Sequence, residues 1–191
     1  MKSFLLGLIL GLLAIPVAAC VYFKLGHPPV AVADHPFPLE RQIVKVPLRA
    51  RIDREMTSLE PIQPTAANLQ AGARIYNEQC SACHGFYGHS SEFASHMYPS
   101  APQLWQVHGK GKAIGVSDDS PGETYWKIDN GIRLSGMPAF NKILSPTQMW
   151  QVALLLSRAD KPLPSNVMDT LRRSPNPRPA QAAPKSKLNQ D

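Results

Sequence analysis

Near the middle of the chain two cysteines stand three positions apart with a histidine directly after the second: Cys80-Ser81-Ala82-Cys83-His84. This is the spacing of covalent haem attachment. Two thiols so placed at the end of a helix can form thioethers to the two vinyl groups of one haem, while the next residue turns its imidazole onto the iron. A porphyrin held this way completes the core of an unusually small polypeptide. Two other readings compete with it. Structural zinc usually needs four protein ligands, and there is no second cysteine pair, although His89, His96 or His108 could be recruited. A thioredoxin-like dithiol belongs in a βαβ pattern, which this helical, loop-rich sequence lacks.

A chain of 191 residues favours one compact domain with appendages. The stretch Phe4 through Leu25 is uncharged except for Lys24. As a helix at ~1.5 Å per residue it would extend about 33 Å, enough to span a bilayer. The small residues Ala18 and Ala19 and the helix-breaking Pro16 also suit a cleaved signal. Val17-Ala18-Ala19-Cys20 looks like a lipoprotein box, yet apolarity continues through Val21, Tyr22 and Phe23. Residues 1–25 are therefore read as a membrane anchor or signal segment, with an uncleaved anchor preferred over lipidation at Cys20. Residues 26–65 carry Pro28, Pro29, Pro36, Pro38, Pro47, Pro61 and Pro64 and are expected to form a stiff linker without a continuous helix. Gln42-Ile43-Val44-Lys45-Val46 alternates and could form a short strand, although an ordinary extended linker is the simpler reading.

A domain is expected over 66–160, and its pattern is helical. Thr65 or Asn68 can cap a helix that runs into the cysteines. A second helix is predicted over Gly122–Asn130, stopped by Gly131. A third follows from Pro146 to about Arg158 behind Ser145 as its cap. Within 66–160 the formal charge balances: Arg74, Lys110, Lys112, Lys127, Arg133, Lys142 and Arg158 against Glu78, Glu92, Asp118, Asp119, Glu123, Asp129 and Asp160. The net charge of +6 comes largely from the tail 161–191, which is basic, rich in proline and expected to be disordered. Nucleic-acid binding is disfavoured, because these charges lie on a segment broken by Pro175, Pro177, Pro179 and Pro184 and not on an ordered face.

Several motifs in order carry a resemblance over residues 66–160: the helix entering Cys80-x-x-Cys83-His84-Gly85; Pro102-Gln103-Leu104; Tyr125-Trp126-x-Ile128-x-Asn130-Gly131-Ile132; Gly136-Met137-Pro138-Ala139-Phe140; and a last helix bearing Trp150. Together they resemble the class I c-type cytochrome family, in particular small monohaem, membrane-anchored bacterial members. The resemblance implies an all-α, cytochrome c-like domain around one covalently bound haem c behind an N-terminal anchor. It implies His84 and Met137 as axial ligands of the iron, with Met97 the runner-up for the second. Soft thioether sulfur suits ferrous iron, and His/Met ligation raises the potential. Pro102 matches the position whose carbonyl accepts a hydrogen bond from the proximal histidine. Leu104 would press on the haem. Trp126 would pack on the macrocycle or donate its indole N–H to a propionate, with plain core packing an equal reading. Gly72 would let the first helix cross the last near Trp150. The stretch from Phe86 to Ser100 does not match the family pattern.

The expected function is single-electron transfer between membrane or periplasmic redox-partner proteins, with the domain tethered on the extracytoplasmic side. The alternatives are an electron-transfer subunit of a dehydrogenase or reductase complex and a haem enzyme or sensor. No acid, base or nucleophile constellation stands beside the motif, which favours a carrier or subunit over an enzyme.

Overall fold

In the computed structural model, which describes residues 2–108 and 113–173, the regular structure is helical. Among the described residues seven α-helices follow one another: α1 (Lys2–Leu25), α2 (Glu40–Glu55), α3 (Ala66–Gln79), α4 (Ser81–His84), α5 (Pro121–Asn130), α6 (Pro146–Leu156) and α7 (Ser165–Arg172). A 3₁₀ turn covers Phe93–His96, and no strand occurs among the described residues. The chain is thus all-α with an apolar N-terminal helix. It divides into two compact units at Pro47.

In the first unit, α1 is 24 residues long and buries none of them. It is long and apolar enough to cross a membrane. After it, the Asp34 carboxylate accepts from the amides of Val30 and Ala31 at 2.8 and 2.7 Å, closing a turn. Glu40 accepts from the Phe37 amide at 2.9 Å at the start of α2.

In the second unit, local caps set the helix starts. Thr65 accepts from the Asn68 amide, Ser120 from Glu123, and Ser145 from Gln148, whose own side chain accepts from the Ser145 amide to complete a capping box. α6 is mostly apolar after its first turn, with Met149, Trp150 and Val152 through Leu156 all buried. It can be so because α3 lies against one side and α5 against another. At the α3 crossing, Gly72 has no room for a side chain: a Cβ there would collide with the Gln151 carbonyl. On the α5 side, Tyr125 stacks on Trp150 with ring centroids 4.5 Å apart and 17° between planes.

Two segments depart from the sequence expectations. The linker over 26–65 contains α2, helical through Pro47, and the alternating Gln42–Val46 stretch is helix, not strand. A proline inside a helix costs about 3 kcal/mol. Contacts made by the second half of α2 offset that cost: Ile52 is buried, and the Trp126 indole N–H of α5 donates to Glu55 at 3.0 Å. The Arg51 guanidinium lies 6.0 Å from the Trp126 ring, and a Cβ at Gly122 would collide with the Thr57 carbonyl. Residues 52–57 are therefore a strap on α5. The second departure lies in the tail, where Ser165–Arg172 folds as α7 with Val167 and Leu171 fully buried. The Asn77 side-chain amide of α3 donates to the carbonyls of Thr170 and Arg173 at 2.6 and 3.0 Å, capping the end of α7. The rest of the expected disordered tail, 174–191, lies outside the described residues.

Both departures can be tested. Leu171→Ala should cost about 2–5 kcal/mol in urea unfolding, as expected for a buried leucine truncated to leave a cavity. A cost no greater than that of a surface change would mean that α7 does not dock in solution. For the strap, the Trp126 bond, followed by Arg51, holds the Glu55 carboxyl below the usual carboxylate range. A carboxylate depressed on folding adds stability above its ordinary value of 4.5 and loses it as pH falls through the folded value. Glu55→Gln should therefore lower stability at neutral pH and flatten the acid limb of a stability-against-pH curve. Parallel acid limbs for the two proteins would detach Glu55 from the strap.

Candidate functional site

α3 ends at Cys80, whose amide donates to Tyr76 at 2.9 Å, and the chain turns at once into α4. The amides of Cys83 and His84 both donate to the Cys80 carbonyl, at 3.2 and 3.0 Å. Gly85 leaves the turn at φ +80°, a conformation that L side chains rarely adopt. A Cβ there would also come within 2.5 Å of the His89 carbonyl oxygen. From beneath, the buried Tyr76 hydroxyl lies 2.7 Å from the Gly85 carbonyl and 3.2 Å from that of His84. The Ser81 hydroxyl donates to Asn77 at 2.6 Å. Both cysteines are free and half-buried. Burial first, and then the neighbouring Cys83, push the Cys80 thiol up to about 12. A redox dithiol needs the opposite shift.

Residues 101–104 run beside this turn without regular structure and are sewn to it. His84 Nδ1 lies 2.8 Å from the Pro102 carbonyl oxygen. A carbonyl only accepts, so Nδ1 carries the proton and Nε2 keeps its lone pair for a metal. Burial is the main influence on His84 and lowers its pKa, with the Pro102 bond opposing it, so burial favours the neutral, metal-binding imidazole. The Leu104 amide donates to the His84 carbonyl at 3.1 Å. Between them, Gln103 Nε2 donates to the carbonyls of Cys83 (3.3 Å) and Ala101 (3.0 Å), and its Oε1 accepts from the Ser91 amide at 2.6 Å. The Ser91 hydroxyl bonds to the Ala82 carbonyl, tying the 86–100 loop to the same turn.

Met137 stands in a loop after α5, half-buried and packed against the core. The loop folds back on its helix: the Phe140 amide donates to Ile128 at 2.9 Å, and the Ile132 amide to Met137 at 3.2 Å. Met97 reaches the same loop. A Cβ at Gly136 would run into Met97 Cε, with the sulfur 3.9 Å away. The first and second candidates for the sixth ligand are therefore neighbours.

The structure thus gathers Cys80, Cys83, His84, Pro102 and Leu104 around one turn, and Met137 with Met97 at one loop. Leu104 is buried among the core side chains. Trp126 differs from one of its readings: its indole N–H is taken by Glu55, not left for a propionate. Sequence reasoning missed Gln103, Ser91 and Tyr76 as supports of the turn. Gln103 had only its place between Pro102 and Leu104 to mark it. Tyr76 sits on the buried side of α3, where an aromatic reads as core.

These donors fit a covalently held haem: two free thiols on one turn, and an imidazole whose Nε2 is left unprotonated by its own hydrogen bond. Among the described residues, no group of three or more His, Cys, Asp or Glu side chains is placed to hold a metal ion. Residues 67–156 match the family described as cytochrome C oxidase, cbb3-type, subunit III. No curated protein and no solved structure matches the chain. A cytochrome c domain of this kind carries a haem-based electron-transfer role and implies covalently bound haem c. Residues 67–156, with their Cys80-x-x-Cys83-His84 turn and its bonded histidine, are thus a c-type cytochrome domain.

Proposed function

We propose that this chain is a monohaem cytochrome that passes single electrons between redox partners at the extracytoplasmic surface of a membrane, with thioethers at Cys80 and Cys83 and axial ligands His84 and Met137. The observation that carries the reading is the 2.8 Å contact of His84 Nδ1 with the Pro102 carbonyl on the cysteine-bearing turn. It orients the imidazole, fixes its tautomer and raises its basicity as a ligand. Bound haem supplies an iron that alternates between ferric and ferrous. The protein's part would be to hold His84 and Met137 in place in either state, so that little would have to move when an electron arrives. Tyr76, Gln103 and the Leu104 amide hold the histidine side, and the bonds of Phe140 and Ile132 hold the methionine loop. Leu104 serves as an apolar wall. Trp126 packs between α5 and the strap.

α1 acts as an uncleaved anchor with its N-terminus inside, because covalent haem attachment takes place outside the cytoplasm in organisms that use this motif. Movement is then confined to the plane of the membrane. A second reading is an electron-transfer subunit held in a larger complex, favoured by the oxidase subunit in the description of the matching family. Co-purification of a fixed partner after mild solubilisation would select it, and a freely exchanging monomer would select the carrier.

The ligand assignment has a direct test in the optical spectra of the haem-loaded protein. Oxidised wild type should display the weak near-infrared sulfur-to-iron band. Met137→Ala should lose it, and Met97→Ala should keep it. The reverse pattern would move the ligand to Met97. A high-spin wild type that binds carbon monoxide readily would move the function to catalysis or sensing.

A further inference from the structure

Gln103 has so far been described as one support of the turn among several, yet its carboxamide is fully engaged in the segment that faces His84. Both Nε2 hydrogens are used, on Cys83 and Ala101, and Oε1 takes the Ser91 amide. Residues 101–104 belong to no helix or strand, so no regular hydrogen-bond ladder fixes where the Pro102 carbonyl points. Three bonds join this segment to Cys83 and His84: Gln103 Nε2 to the Cys83 carbonyl, His84 Nδ1 to the Pro102 carbonyl, and the Leu104 amide to the His84 carbonyl. Of the three, only the first comes from a side chain of the segment. On its other side, Gln103 gathers the 86–100 loop, which Ser91 also ties to Ala82.

We propose that Gln103 is a positioning residue that aims the Pro102 carbonyl at His84 Nδ1 and thereby tunes the basicity of the proximal ligand. The inference rests on the assignment of His84 to the iron. Without Gln103 the carbonyls of Cys83 and Ala101 lose donors, and the Ser91 amide loses its acceptor. Residues 101–104 then drift from the turn, and the Nδ1–H bond lengthens. A histidine that shares its proton less donates less electron density, which destabilises the ferric state more than the ferrous. The midpoint potential should therefore rise.

The test uses the full-length, haem-loaded protein in detergent. Gln103→Leu removes all three side-chain bonds at similar volume. It should raise the midpoint potential above that of wild type. It should also speed deuterium exchange of the His84 Nδ1 proton, followed by NMR in the ferrous state, by about tenfold, the factor equivalent to about 1.4 kcal/mol. Ile52→Ala, in the strap on α5, serves as a control that weakens packing away from these bonds and should leave the potential unchanged. If Gln103→Leu loses stability but matches the control in both readouts, Gln103 is only a structural staple and the proposal falls. Should the variant fail to load haem, the wild type decides: both Gln103 Nε2 protons must exchange slowly, and exchange as fast as in a free glutamine overturns the assignment. Failure of the His84 assignment itself would be visible in wild type first, as the absence of any haem-shifted imidazole Nδ1 proton.

Discussion

The close crossing of α3 over α6 at Gly72 is the constraint on which the rest of the haem domain depends. Backbone meets backbone there, with the Gln151 carbonyl occupying the place of a side chain. The position of α3 is thereby set, and with it the position of Cys80 at its end. α7 secures the same helix from another direction, through Leu171, Val167 and the Asn77 cap. The haem-binding turn needs this support because a four-residue helix has almost no internal cohesion of its own. Its stiffness is borrowed from α3 below, through Tyr76 and Ser81, and from residues 101–104 beside it.

Hydrogen bonding on the two sides of the site follows different logics. On the histidine side every backbone carbonyl from Ala82 to Gly85 has a donor: Ser91, Gln103, Tyr76 and the Leu104 amide between them. On the methionine side the loop is held by its own backbone, with Met97 laid against Gly136. The histidine side is thus tied by side chains from several segments, and the methionine side by bonds within its own loop. Under the proposed ligand assignment, that arrangement would hold the histidine rigidly and leave the softer sulfur on the less heavily tied loop.

What was legible in the sequence was local. Thr65 and Ser145 act within three residues of themselves, so the starts of α3 and α6 could be read from single residues and their neighbours, whereas Ser120, the cap of α5, was not singled out. The attachment motif is likewise contained in five positions, and the Pro102 bond followed from the family resemblance. α2 and α7 were not legible because their support is remote. Pro47 and the alternation of Gln42–Val46 argue against helix, and only the contacts of Ile52 and Glu55 with distant residues overrule them. α7 sits in a proline-rich basic stretch, and Asn77, the residue that caps it, lies on α3 far earlier in the chain. Gln103 was illegible for a third reason: nothing about a glutamine in a loop announces which carbonyls it will meet.

The partners of α3 come late in the chain. Asn68 bonds Gln151 across a separation of 83 residues, and Asn77 bonds Thr170 across 93. Such contacts carry a loop-closure cost that must be met before any packing is gained. During synthesis, Cys80, Cys83 and His84 therefore emerge well before the helices that will fix them. Until α6 has been made α3 has nothing to cross, and until the chain has passed Thr170 the Asn77 side of α3 has nothing to cap. The support of the cysteine-bearing turn is thus complete only once the last two helices have closed on α3.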